Sequence, residues 1–343
     1  MTIKEIIISV ADQLSYSQVS KVTTSEFTFN LITRTTPKIL LVFSFLVTIR
    51  QLFGNPIECQ PDPSYEKLTK QIETRCWIEG SYIIREHLHG TIGKSIVNYG
   101  IGTKMLQEER IYQTYYQWVT PSLLVMALIF YFPAFVWHHW EGGSMDKLLK
   151  DVDSPYIKED CWNNQRERLL RYLNGPRRHH RHYAIKYYFC EAISLVALIF
   201  NMHMLSEIFN NFWVEYFPAI RALLSHNYEE FAKQSSILFP SQAKCDYFNF
   251  GSSGTIQKID ALCLLPQNVV NEKIFVFLYF WLILLVFLSF AHILCVFVKV
   301  IYLWRKEKDF GFYVVQAIIR KNLSPVLIED LIEAKKLNSP HTQ

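Results

Sequence analysis

Two residue types in this chain occur in patterns that could do chemistry, histidine and cysteine. His138-His139 and His179-His180-Arg181-His182 form two clusters. Imidazoles grouped on one face can hold a transition metal, as in the histidine boxes of membrane di-iron enzymes. Such boxes need His-x-x-His-His spacings and many more ligands than these clusters offer, so no metal site is expected. Imidazole also titrates near physiological pH, which makes His179, His180 and His182 a candidate pH sensor. The plainer reading is a basic flank beside a membrane span. No glycine-rich phosphate loop and no nucleophile–base pair is present, so no catalytic residue, no cofactor and no enzyme activity are expected. The seven cysteines are Cys59, Cys76, Cys161, Cys190, Cys245, Cys263 and Cys295; what they do depends on which side of a membrane they face.

The elements that position these residues are read from hydropathy. Half of the 343 residues are hydrophobic, and they are pooled in long runs rather than alternating, which is the pattern of membrane spans. Residues 274–298 contain no Asp, Glu, Lys or Arg, and neither do 111–137; the latter opens on interfacial aromatics. A third span is placed at 184–205, with Lys186 and Glu191 in its first turns, and the first at 27–50. Residues 1–38 lack an apolar signal-peptide core, so the first span is expected to remain as an anchor. The net charge of +4 and the absence of a basic, aromatic-interleaved stripe give no case for nucleic acid.

Basic residues orient the spans. There are 9 Lys/Arg in 138–183 and 8 in 299–343, against 7 in 51–110 and 4 in 206–272. The positive-inside rule then puts both termini and the middle loop in the cytoplasm of a plasma-membrane protein. The expected order is a cytoplasmic segment 1–26, span 27–50, outer loop 51–110, span 111–137, cytoplasmic loop 138–183, span 184–205, outer loop 206–273, span 274–298 and tail 299–343.

Each outer loop then holds two cysteines, Cys59 and Cys76 in one, Cys245 and Cys263 in the other. Even pairs on the oxidising side indicate disulfides. Four cysteines allow three pairings. Matching distance from the membrane favours Cys59–Cys263 and Cys76–Cys245, against the local alternative Cys59–Cys76. The fold class is an all-α membrane protein: four spans, two disulfide-stapled outer loops with small β elements, and a helical cytoplasmic domain. In the first span Thr33, Thr36, Ser44 and Thr48 fall near one helical face, and Arg34 and Lys38 require water or a partner. That face reads as pore lining, or else as small polar residues that let helices pack closely. Ile3, Ile6, Ile7, Val10 and Leu14 have the spacing of an amphipathic helix, which either folds into the pore mouth or lies on the inner leaflet.

Several runs resemble the innexins, the invertebrate gap-junction proteins related to pannexins. They are Tyr115-Tyr116-Gln117-Trp118-Val119, then Phe130-Tyr131-Phe132-Pro133 and Trp140-Glu141-Gly142-Gly143. Pro56-Ile57-Glu58-Cys59, Phe250-Gly251-Ser252-Ser253-Gly254 and Asp260-Ala261-Leu262-Cys263 add to the likeness. Thr120 departs from it, standing before Pro121 where relatives often have proline directly, which leaves the direction of a helix kink open. The resemblance implies a ring of subunits, eight expected, around a pore, either of this chain alone or with other innexins. Two such hemichannels would dock through their outer loops at a cell–cell junction and pass ions and small metabolites with weak selectivity. It further implies an N-terminal helix folded into the pore, which would put Ile3, Ile6 and Ile7 on the pore wall. An undocked hemichannel and a non-conducting four-span adhesion protein are the alternatives.

Overall fold

The structure, a computed structural model, describes residues 22–103, 108–149 and 159–337. Helix α1 runs from Phe27 to Phe53 and widens into a π-turn at Leu31–Thr35. Pro37 explains the turn: it has no N–H to give the Thr33 carbonyl, so the helical ladder shifts by one residue. There follow β1 (Glu58–Pro61), α2 (Thr69–Glu79), β2 (Ser81–Ile84), β3 (Ile96–Asn98), β4 (Ile101–Gly102) and β5 (Arg110–Gln113). The second long helix is α3 (Val119–Glu141), followed by α4 (Ser144–Leu149) and α5 (Glu159–Leu173). The third, α6 (Arg177–Ile208), leads into α7 (Phe212–Leu224), α8 (Tyr228–Ser235) and the strands β6 (Gln242–Phe250) and β7 (Ile256–Leu264). The fourth, α9 (Pro266–Arg305), precedes α10 (Phe310–Asn322) and α11 (Pro325–Leu337).

Helices α1, α3, α6 and α9 are long and apolar enough to cross a membrane. The 40 residues of α9 extend for about 60 Å at the helical rise, well past a hydrocarbon core. Three helices outrun the apolar segments expected for them. The second is displaced instead: Arg110–Gln113 is a strand paired with β2, and the helix begins only at Val119. Ile111 and Tyr112 are apolar without being helical. Pro121 lies in the first turn of α3, where its missing N–H has no helical partner to serve, so it has no kink to direct.

The chain divides into two compact units, and each long helix supplies one end to each. Unit 2 (Thr35–Phe130 and Ala197–Val286) carries a five-stranded antiparallel sheet in the order β1-β7-β6-β2-β5. Strands β6 and β7 form a hairpin, Phe250 opposite Ile256. Its loop closes through Gly251 N–H to the Thr255 carbonyl at 2.8 Å, and Gly254 at φ +79° supplies the left-handed residue.

In unit 1 (residues 1–34, 131–196 and 287–343) the regular elements among the described residues are helices. Met145, Leu149, Leu169, Val315 and Ile319 form its core. Asp330 of α11 accepts from the Trp162 indole and from Arg166 at 3.2 Å, fastening α11 to α5. Pro325 occupies the first position of α11, where proline is well tolerated. Gly311 makes a close contact: a β-carbon there would stand 2.5 Å from the Arg181 backbone nitrogen and 2.6 Å from its Cα. Backbone cannot swing aside, so Gly311→Ala is expected to lower stability by about 1–3 kcal/mol or more through overpacking. A thermal melt of purified protein checks this; an unchanged midpoint would mean that α10 and α6 are not seated as described.

Candidate functional site

The sheet of unit 2 is closed by two disulfides. Cys59–Cys263 links directly opposed positions of β1 and β7, and Cys76–Cys245 links α2 to β6. They join residues 204 and 169 positions apart. Beside them Asp246 of β6 accepts from Lys258 at 2.7 Å, Arg110 at 2.9 Å and Tyr82 at 3.0 Å. The Arg110 guanidinium also lies 4.4 Å over the Tyr82 ring, a cation–π contact. Burial alone would raise the Asp246 pKa, but the hydrogen bonds from Lys258, Tyr82 and Arg110 outweigh it and hold the carboxyl below its ordinary 3.8.

The pentapeptide at residues 115–119 joins this sheet to the helices of the same unit. Tyr115 is buried and donates to the Leu238 carbonyl, with Asn268 Oδ1 at 3.3 Å. The Tyr116 hydroxyl lies 2.6 Å from Ser81 Oγ of β2, and its ring stacks on Trp77 of α2 at 5.4 Å. Val119 is fully buried, whereas Gln117 and Trp118 face out. Tyr115 also starts an aromatic cluster with Phe209 and Phe239, both of which pack on Phe275. Three inward side chains in five residues thus bind strand, short helix and long helices together.

The hydroxyl face of α1 is turned into the protein. Thr33, Thr36 and Ser44 are 0%, 0% and 3% exposed. Thr33 bonds back to the Phe29 carbonyl at 2.8 Å, and Thr48, half-buried, to that of Ser44 at 2.8 Å. Thr36 accepts from the Trp281 indole at 3.1 Å, and Ser44 reaches the Thr120 carbonyl at 3.4 Å. Thr33 is thus satisfied within its own helix, while Thr36 and Ser44 bond α9 and α3, an arrangement in which small hydroxyl side chains let helices approach. Arg34 and Lys38 are exposed. Ile3, Ile6 and Ile7 lie outside the described residues.

Residues 25–334 match the family model described as Innexin. The chain is 35% identical to innexin inx2 of Drosophila melanogaster over 76% of its own length and 71% of the relative's. It is 36% identical to innexin inx4 of Anopheles gambiae over 82% and 73%. With innexin inx4 of Drosophila melanogaster the identity is 31% over 94% and 95%. The chain belongs to the innexin family.

The structure does not bring the three candidate histidines of this innexin to one place. His180 is buried between the rings of Tyr172 and Phe312, with Nε2 3.1 Å from the Tyr172 carbonyl. His179 and His182 are exposed, and His182 accepts from Arg178 at 3.3 Å. The three candidate residues are thus one packed ring and two surface ones. A different histidine holds the denser cluster. His292 of α9 places Nδ1 3.2 Å from Glu26 and Nε2 3.2 Å from Glu191 of α6. Although such a set has the residue types of a metal site, each ring nitrogen meets a different carboxylate, which suits an imidazolium with two donors better than a ligand. In the sequence Glu191 stands as a first-turn charge of its span and His292 as a neutral residue in an uncharged run, with nothing in their spacing to join them. Ionisable groups inside a membrane span were the available signal.

Asp246 yields the pH-dependent expectation for this site. A carboxyl with a lowered folded pKa stabilises fully above its unfolded value and loses that contribution as pH falls through the folded one. Asp246→Asn is expected to cost roughly 1–3 kcal/mol at neutral pH, with the deficit shrinking as pH drops below 3.8. Melting curves of both proteins at neutral pH and in that acid range measure it; an equal deficit at both would remove the charge from the explanation.

Proposed function

We propose that this innexin assembles with itself into a ring, eight subunits being the expected number, that docks with a ring on the neighbouring cell to form a gap-junction channel. Ions and small metabolites pass through it with weak selectivity. The two loops that carry the sheet face outward, and both termini and the loop at residues 138–183 lie in the cytoplasm, as the distribution of Lys and Arg favours. The observation that carries the reading is the disulfide-closed sheet joined to four membrane-length helices. Docking two surfaces costs least entropy when both are rigid beforehand, and two cross-links between distant segments supply that rigidity. The β6–β7 tip supports it further: Phe250 and Ile256 are 73% and 72% exposed, and exposed apolar groups at a rigid tip are what a partner would cover.

The pore wall on this reading includes Arg34 and Lys38. Either cation facing lipid would cost about 2.5–3.5 kcal/mol, so each faces water or a neighbouring subunit. Substituted-cysteine labelling distinguishes the faces of α1. A cationic thiol reagent is expected to reduce current at Arg34→Cys and Lys38→Cys and to leave Thr36→Cys and Ser44→Cys untouched; the reverse pattern would return the hydroxyl face to the pore.

Junctional conductance between paired cells, each expressing only this chain, tests the function itself. A current is expected. Its absence with protein at both surfaces would count against self-docking, and dye uptake by single cells would then reveal an undocked hemichannel.

A further inference from the structure

Unit 1 holds a half-open cleft of about 360 Å³ lined by the first turns of α1, the stretch of α6 around Glu191 and the stretch of α9 around His292. Phe29, Ile32, Leu195 and Val296 make its walls apolar. Glu191 and His292 are on the lining, and so is Ser289. Ser289 is 5% exposed, and its hydroxyl has no hydrogen-bond partner among the described residues. Apolar walls with a few convergent polar groups and a volume of this order are the usual form of a small-molecule site.

Charge decides what kind of molecule fits. One imidazole lies between two carboxylates, Glu26 and Glu191, so even an imidazolium leaves one negative charge uncompensated. The side chains of Glu191 and His292 are only 14% and 15% exposed, against 42% for Glu26, so the less hydrated carboxylate is Glu191. Lys299, two turns along α9, is the other charge acting on His292, and it is exposed. The nearby Tyr187 hydroxyl is occupied by the Glu26 backbone N–H at 2.9 Å. A surplus carboxylate charge beside apolar walls, together with an orphaned hydroxyl, is costly without a partner. We propose that this cleft binds a protonated amine carried on a compact apolar body, the ammonium on Glu191 with Ser289 as second acceptor and the body against Phe29, Ile32, Leu195 and Val296. A neutral or anionic molecule of the same shape gains the walls but not the charge.

Three isosteric probes separate these contributions: 4-phenylbutylamine, 4-phenylbutanol and 4-phenylbutyrate. Each is titrated calorimetrically into the purified full-length protein in detergent, with the micelle-only heat subtracted. The amine is expected to bind at least about tenfold more tightly than the alcohol, as a charge-assisted hydrogen bond allows, and the carboxylate more weakly than either. Glu191→Gln, which leaves Glu26 and an imidazolium in balance, should bring the amine down to the alcohol. Leu195→Trp should fill the cleft and remove both. Equal affinities for the three probes on the unaltered protein, or no binding at millimolar concentration, would overturn the proposal whether or not either variant folds. An amine preference that persists in folded Glu191→Gln protein would also overturn it.

Discussion

The disulfides Cys59–Cys263 and Cys76–Cys245 join residues 204 and 169 positions apart, and the sheet-bearing unit is organised around them. Neither closes a local loop. Each fastens a segment near α1 and α2 to a segment that follows α8, and two long helices lie between these in sequence. A cross-link of this kind is worth about 2–4 kcal/mol, a sizeable fraction of the net stability of a small domain. With β1 held against β7 and α2 against β6, the Asp246 network and the Trp77–Tyr116 stack have fixed partners. The pentapeptide then carries that rigidity to the helices, because Tyr116 bonds Ser81 of β2 while Tyr115 reaches Leu238 and Asn268.

The described residues of the helical unit are held differently, by close approach. Gly311 lets α10 touch the α6 backbone, His180 packs between two rings, and Asp330 ties α11 to α5. The segment just before α1 is anchored in the same unit: Thr23 donates to Asn322, Lys321 to the Ser25 carbonyl, and the Trp137 indole to Thr24. The residues leading into a helix whose Arg34 and Lys38 we assign to the pore are therefore bonded to α10 and α3.

Much of this was legible in the sequence because it depends on composition along the chain. Four long helices follow from four apolar runs. What stayed hidden depends on pairing. Ile111 and Tyr112 extend an apolar run, and only their register with Ile83 and Tyr82 makes them strand. Thr33 and Thr48 look like water-facing hydroxyls until the carbonyl four residues back is seen to satisfy them. Glu26, Glu191 and His292 stand far apart in sequence, and no periodicity brings them together. The helices overran their predicted ends because a helix leaving an apolar stretch needs no break where its packing continues.

On this account the stapled sheet exists for docking, so losing a staple should separate assembly from junction formation. The most direct measurement is of surface rings and junctional conductance together, in paired cells expressing the Cys76→Ser, Cys245→Ser double variant. The account predicts protein at the surface, assembled at the size of the unaltered ring, with junctional current lost. Normal junctional current through that variant would contradict it, since docking would then not depend on the cross-linked sheet.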